Sequence, residues 1–148
     1  MGLAPYGIPD SDNVKKYYRL IKDHLVDIRE DGSIWLNQQY FSYSTGLRMV
    51  NDKKWEKLFG LGRRLPESEI QQQHCDMAYA IQQITEEIMT AMVKHIREIT
   101  DADSLCLAGG VALNCVANGK ILQENIFKNI YPALDFLHNG LIGGLYRF

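Results

Sequence analysis

Residues 104–120 read SLCLAGGVALNCVANGK, and this run constrains the fold more than any other part of the chain. A short apolar strand pattern meets Gly109 and Gly110 and passes straight into a helical pattern. A strand, a glycine turn and a helix in that order, after a long helical stretch, point to an α/β domain. Two residues without side chains let the backbone approach a base, a ribose or a phosphate without collision. The N–H groups opening the next helix attract anions. Asn114 falls in the first turns of that helix, and its amide both donates and accepts. The run reads as a nucleotide contact inside a larger enzyme, and the chain is expected to be too short to be all of that enzyme.

A second explanation stands beside this one, since a strand-to-helix crossover also uses glycine for close packing. The run is not a P-loop, because no Gly-Lys-Ser/Thr ending follows. It also lacks the spaced dinucleotide fingerprint. Lys120 lies about two turns into the helix; a phosphate contact is open to it, but a solvated lysine is the plainer role.

The rest of the chain supplies a scaffold. Val14, Tyr17, Tyr18, Ile21 and Leu25 have helical spacing over 14–25. Asp31-Gly32 between the apolar segments 26–29 and 33–36 predicts a hairpin. Trp55, Leu58 and Phe59 predict a short helix, and Gly60, Gly62 and Pro66 a loop after it. The clearest element is a long helix over about 70–99. Ile70, Met77, Ile81, Ile84, Ile88, Met92, Ile96 and Ile99 form its expected buried stripe. Thirty helical residues span about 45 Å. A buried strand follows at 105–107, then the helix 111–122, then a strand at 128–131. The stretch 134–148 is apolar and glycine-rich with no clear period. The opening Gly2-Leu3-Ala4-Pro5-Tyr6-Gly7 is turn-rich and suits a tight loop packed beside another element.

Composition narrows the function. With 46% hydrophobic and 23% charged residues, the chain has the makeup of an ordinary globular protein rather than a disordered one. Sixteen basic against eighteen acidic residues give a net charge of -2, no general attraction for nucleic acid or an anionic membrane. No apolar run reaches the length of a membrane span. Tyr6 stands where a myristoylation signal after Gly2 needs Ser or Thr. No secretion signal is evident, so a cytoplasmic location is expected. Cys75, Cys106 and Cys115 have no paired spacing and are expected to be reduced, buried small groups. His24, His74, His95 and His138 make no close ligand set. Glu86 and Glu87 are expected on a solvated helix face. Tyr40, Phe41, Tyr43 and Arg48 form a secondary candidate, aromatic faces with an Arg fork for a sugar or an anion, although core packing also explains the aromatics. Arg63 and Arg64 read as a solvent-facing pair that is also able to neutralise a phosphate.

Three segments in order, MGLAPYG, YFSYSTGLRMVNDKKWEKLFG and LCLAGGVALNCVANGKI, resemble the carbamoyltransferases of nodulation and antibiotic biosynthesis. The resemblance covers about positions 1–131. It implies part of a ribonuclease H-like lobe in the actin-like ATPase group, similar to the Kae1/TsaD-like protein of tRNA modification. Such enzymes use ATP and carbamoyl phosphate, pass through carbamoyl-adenylate, and carbamoylate a hydroxyl of a small molecule or an oligosaccharide. Carried onto this chain, the resemblance implies nucleotide contacts at Gly109, Gly110, Val111 and Asn114, with the opening Gly2–Gly7 motif near the same region.

The family resembles a metal enzyme, with iron or another divalent ion held by an earlier His-x-x-x-His and a later Gly-Asp-x-Gly. Neither pattern occurs here. Asp135 has no flanking glycines and Gly143-Gly144 no aspartate, so no metal ligand and no catalytic residue is assigned. The YrdC-like domain of the full enzymes has no counterpart either. The chain is therefore expected to be a truncated piece that does not run the whole reaction alone. A complementing chain or a second copy would have to complete it. The alternative reading is an inactive nucleotide-binding or protein-interaction module.

Overall fold

In the computed structural model, which describes residues 2–132, Ser11 opens the first helix by accepting the Val14 N–H at 3.2 Å. Helix α1 runs Asp12–Leu20 and buries Val14 and Tyr17. The expected single helix over 14–25 does not continue regularly. Residues Ile21–Leu25 form one turn of π-helix, closed by the Val26 N–H on the Ile21 carbonyl. This wider turn keeps Ile21 and Leu25 buried and delivers Val26 directly into extended backbone.

Strand β1 (Val26–Ile28) pairs antiparallel with β2 (Ile34–Leu36), with Asp27 opposite Trp35. The predicted turn is present. The Asp31 carboxylate accepts both the Ser33 N–H (2.9 Å) and the Ser33 hydroxyl (2.7 Å). Gly32 adopts φ +75°, and a Cβ there would sit 2.5 Å from Met92 Cα. Positive φ and close approach together explain why this turn position carries no side chain.

Helix α2 (Asp52–Phe59) is capped by Asn51, whose side chain accepts the Lys54 N–H at 3.2 Å, and ends at Gly60 in the left-handed region, φ +67°. Phe59 enters a core with Tyr17, Ile21, Leu25, Val26, Ala80 and Ile84. Aromatic rings continue outward from it. Tyr17 and Phe59 meet edge-on at 5.9 Å, Phe59 and Trp55 lie 5.2 Å apart, and Trp55 and Phe41 6.1 Å.

Helix α3 (Gln72–Ile99) matches the expected long helix, but its buried face does not follow the expected stripe. Ile84 is buried and Met77 and Ile88 half-buried, whereas Ile70, before the helix, and Ile81, Met92, Ile96 and Ile99 are exposed. Two opposite faces are covered instead. Asp76, Ala80 and Ile84 lie along one, and Gln82, Glu86, Met89 and Val93 along the other. Glu86 is 6% exposed and accepts the Gln82 amide at 2.7 Å. Glu87 is half-buried and accepts Tyr18 Oη (2.6 Å) and Lys22 Nζ (2.5 Å). Neither glutamate occupies the solvated face expected of it, because each has a partner able to satisfy it in place of water.

The chain divides into two compact units, Met1–His95 and the part from Ile96 on. In the second, β3 (Ser104–Leu107) pairs in parallel with β4 (Asn129–Pro132), Leu105 opposite Ile130 and Cys106 opposite Tyr131. Asp103 links the last turn of α3 to the residue just before β4. It receives Lys128 Nζ at 2.7 Å and lies 4.0 Å from Arg97. Strand β3 is not buried throughout, as its sequence leads one to expect. Leu105 is buried, but Cys106 is exposed, since strand side chains alternate between faces and one face of this two-stranded sheet is open. Cys115 is exposed as well, and of the three cysteines only Cys75 is the buried group expected. The expectations placed on Asp135, His138, Gly143 and Gly144 lie outside the described residues.

Candidate functional site: the glycine turn

Between β3 and the next helix the backbone makes two starts. Gly109 takes φ +95°, ψ 172°, a conformation essentially restricted to glycine. One 3-10 turn follows, Gly110–Leu113, bonded from the Ala112 N–H to the Gly109 carbonyl at 3.0 Å. Helix α4 then runs Cys115–Gln123. The continuous helix expected over 111–122 is thus replaced by a 3-10 turn, a break at Asn114 and a shorter α-helix.

The break reassigns Asn114. Its φ/ψ of -75°/89° is not helical, and its side-chain oxygen accepts the Ala117 N–H at 3.2 Å. It is 6% exposed. Asn114 is therefore the N-cap of α4, where a short side-chain oxygen satisfies a donor that the helix leaves unused. The sequence expectation gave that amide to a ligand; the structure commits its oxygen to the backbone.

Gly109 and Gly110 answer the question the sequence left open. Among the described residues, a Cβ built at either meets nothing within 4 Å. Packing between the described helix and strand therefore does not account for the pair. Gly109 is required by its backbone angles, and Gly110 leaves open space above the turn. The N–H groups of Gly110 and Val111 precede the first bond of the 3-10 turn, so that turn gives them no partner. Val111 presents an exposed apolar side chain beside them, while Ala112 and Ala117 pack inward.

Asn118 completes the arrangement and was not singled out from sequence. Its Nδ2 donates to the Ala112 carbonyl at 2.7 Å, which fixes the orientation of the amide. Its Oδ1 is buried and has no hydrogen-bond partner among the described residues. The available signal was the four-residue step from Asn114 to Asn118, which sets both amides on one helix face. Lys120 is exposed in the last turn of α4.

The cradle over two glycines, the N–H groups that the 3-10 turn leaves without a partner and the acceptor orphaned among the described residues fit a nucleotide. They do not make a metal site. Among the described residues no three His, Cys, Asp or Glu side chains converge. His74 instead uses Nδ1 to accept the Gln71 N–H at 2.9 Å at the start of α3.

The secondary candidate is redistributed. Phe41 joins the aromatic row, Tyr40 gives its carbonyl to the Trp55 indole N–H at 2.8 Å, and Tyr43 accepts the Gln38 amide at 2.7 Å. Arg48 pairs instead with Asp52, which also receives Arg63 at 3.3 Å. Arg64 clamps its own loop, donating to the Leu65 and Ser68 carbonyls at 3.2 and 2.6 Å.

The sequence profile of the carbamoyltransferase N-terminus matches residues 1–135. The chain belongs to the carbamoyltransferase family. Among its relatives is the uncharacterized protein sll1178 of Synechocystis, 50% identical over 131 residues, which are 88% of this chain and 20% of that protein. The nodulation protein NolO of Bradyrhizobium diazoefficiens is 31% identical over 131 residues, 88% of this chain and 21% of NolO. The nodulation protein NolNO of Sinorhizobium fredii is 33% identical over 134 residues, 88% of this chain and 17% of NolNO. This carbamoyltransferase-family chain thus spans about a fifth of the length of these relatives. Among the described residues no helix is long and apolar enough to cross a membrane.

Proposed function

We propose that this chain is the nucleotide-contacting part of an ATP-dependent O-carbamoyltransferase, one that moves a carbamoyl group from carbamoyl phosphate to a substrate hydroxyl. The fold proposed for it is part of a ribonuclease H-like lobe of the actin-like, Kae1/TsaD-like type. The observation that carries the reading is the Gly109–Gly110 turn, which is open above both Cα atoms and lies in a chain of carbamoyltransferase sequence.

ATP, when bound, supplies the activation that makes the carbamoyl carbon reactive. The residues present do the holding. Donors at Gly110 and Val111 receive phosphate or ribose oxygens. The exposed Val111 side chain offers an apolar contact to a base face. Asn114 acts one step removed, by starting α4 at a fixed place. Asn118 fixes the turn through Ala112 and brings an unused acceptor for a ligand N–H or O–H. Such holding contributes orientation rather than bond chemistry. No step is assigned to a metal ion, for which the described residues build no site. The acceptor hydroxyl, a small molecule or an oligosaccharide, and any second chain needed for turnover belong to this same proposal.

The exposed apolar side chains Leu113, Val116 and Leu122 support a second reading, a nucleotide-binding or protein-interaction module without activity of its own. Amide chemical shifts during an ATP titration test the shared part of both. Saturable shifts centred on Gly110 and Val111 are expected. A folded chain whose 109–118 amides do not move contradicts the first reading and the nucleotide-binding form of the second. Carbamoyl transfer to a hydroxyl, with carbamoyl phosphate present and the remaining domains of the enzyme supplied, separates the first from the second.

A further inference from the structure

We propose that a cleft in the first unit, remote in sequence from the glycine turn, binds a small organic carboxylate with an apolar body. The cleft has a volume of about 490 Å³, within the range of small-molecule sites. Trp55, Phe59 and Met77 line its apolar part, and Arg48, Asp52 and Arg63 its polar part.

Charge decides the ligand class. The Asp52 carboxylate receives Nη1 of both Arg48 and Arg63 on a single oxygen, Oδ2. Among the described lining residues Asp52 is the single acid. Among the lining residues two guanidinium groups against one carboxylate leave one positive charge in excess, with the exposed Glu56 carboxylate at the rim beside Gly62. Each guanidinium has five N–H donors in a planar fork, and Asp52 engages one nitrogen of each. The remaining donors match a second carboxylate, the planar anion that an Arg fork recognises bidentately. An excess of a single charge favours a monoanion.

The apolar part sets the remainder of the ligand. Trp55 is fixed by its indole hydrogen bond to the Tyr40 carbonyl and by ring contacts with Phe41 and Phe59. It is a rigid aromatic wall, able to take an aryl or alkyl body without a large loss of side-chain freedom. Leu47 and Met49, which also line the cleft, are both strongly exposed, so its lip is apolar too. A wholly apolar occupant would offer no acceptor to the guanidinium donors that Asp52 does not engage. A highly charged one would find only one excess cation.

The test uses 2-naphthoate and its neutral counterpart 2-naphthamide, read by the chemical shift of the Trp55 indole N–H in the full chain. Naphthoate is expected to saturate that shift and to bind at least tenfold more tightly than naphthamide. The double variant Arg48→Gln/Arg63→Gln should abolish the preference. Asp52→Asn, which removes the competing carboxylate, should tighten naphthoate severalfold. These two variants act in opposite directions, so a general loss of structure does not imitate the result. Equal affinity for the two probes would identify an apolar docking surface and overturn the proposal. So would the absence of a saturable Trp55 shift, or a preference that survives loss of both arginines.

Discussion

The Asp76 carboxylate accepts the backbone N–H of Ile8 at 3.0 Å, across 68 residues of sequence. The same carboxylate receives Gln72 Nε2 at 2.9 Å and Asn13 Nδ2 at 3.2 Å and is 1% exposed. One buried group thus fastens the opening loop and the start of α1 to α3. The turn-rich opening read from the sequence as lying beside another element does so here.

Asp76 makes folding sensitive to acid. Burial pushes its pKa up, but the bonds from Gln72, Ile8 and Asn13 together hold it below the ordinary value of 3.8. A depressed carboxylate pKa contributes stability that is fully present above the unfolded value and lost as pH falls through the folded one. Urea unfolding between pH 6 and pH 2 should therefore show a loss below about pH 4 that Asp76→Asn largely removes. At pH 7 Asp76→Ala should cost about 2–3 kcal/mol, because it leaves buried donors without an acceptor.

Gly7 and Gly32 are places where side chains do not fit. A Cβ at Gly7 would lie 2.9 Å from the Cys75 carbonyl oxygen and inside the contact distance of Tyr79 Cβ. At Gly32 it would meet the Met92 backbone in a residue already at φ +75°. Gly32→Ala should cost about 2–4 kcal/mol, from overpacking and left-handed strain combined. Gly7→Ala, without the strain, should cost about 1–3 kcal/mol. Chemical denaturation measures both.

The two glycines of the candidate site should behave in opposite ways. Gly109→Ala forces a side chain into φ +95° and should destabilise by about 1–3 kcal/mol. Gly110→Ala enters open space at a helical position and should be neutral or stabilise by up to about 1 kcal/mol. Thermal melts of the pair check this contrast.

Tyr18, Lys22 and Glu87 form a half-buried triad. Tyr18→Phe should cost about 1 kcal/mol. Lys22→Met should cost less than about 1 kcal/mol, since more than a third of each side chain in the ion pair is exposed and solvent screens it. The Tyr18 pKa is raised, by burial first and then by the bond to Glu87. An acid with a raised folded pKa contributes stability below its unfolded value and loses it as pH rises through the folded one. Wild type should therefore weaken above about pH 10 more than Tyr18→Phe does, as equilibrium unfolding at pH 9 and pH 11 will show.

Much of the local structure was legible in the residues. Val14, Tyr17, Ile21 and Leu25 carry a helical period that the core uses, and Asp31-Gly32 specifies its turn through short-range chemistry. The strand and the glycine pair lie where the pattern places them, whereas the α-helix after them begins at Cys115 and not at Val111. What was not legible depends on which side chains burial and pairing bring together, even between near neighbours. Glu86 looks solvated until its local neighbour Gln82 is seen buried with it, and Arg48 looks like a sugar-binding fork until Asp52 and Arg63 meet it. The α3 stripe misled because apolar spacing cannot tell which face a neighbour covers. Asn114 is the instructive case. Its type suits a ligand contact and an N-cap equally, and only the break in the helix before Cys115 decides between them.

The central claim, that the Gly109–Gly110 turn contacts a nucleotide, is tested most directly by calorimetric titration of ATP into wild type and Gly110→Ala. The substitution fits the folded chain and projects a methyl into the space assigned to the ligand. Saturable binding by wild type, weakened tenfold or more in a variant of undiminished melting temperature, is the expected result. Equal binding by both proteins, or none by a cooperatively folded wild type, would contradict it.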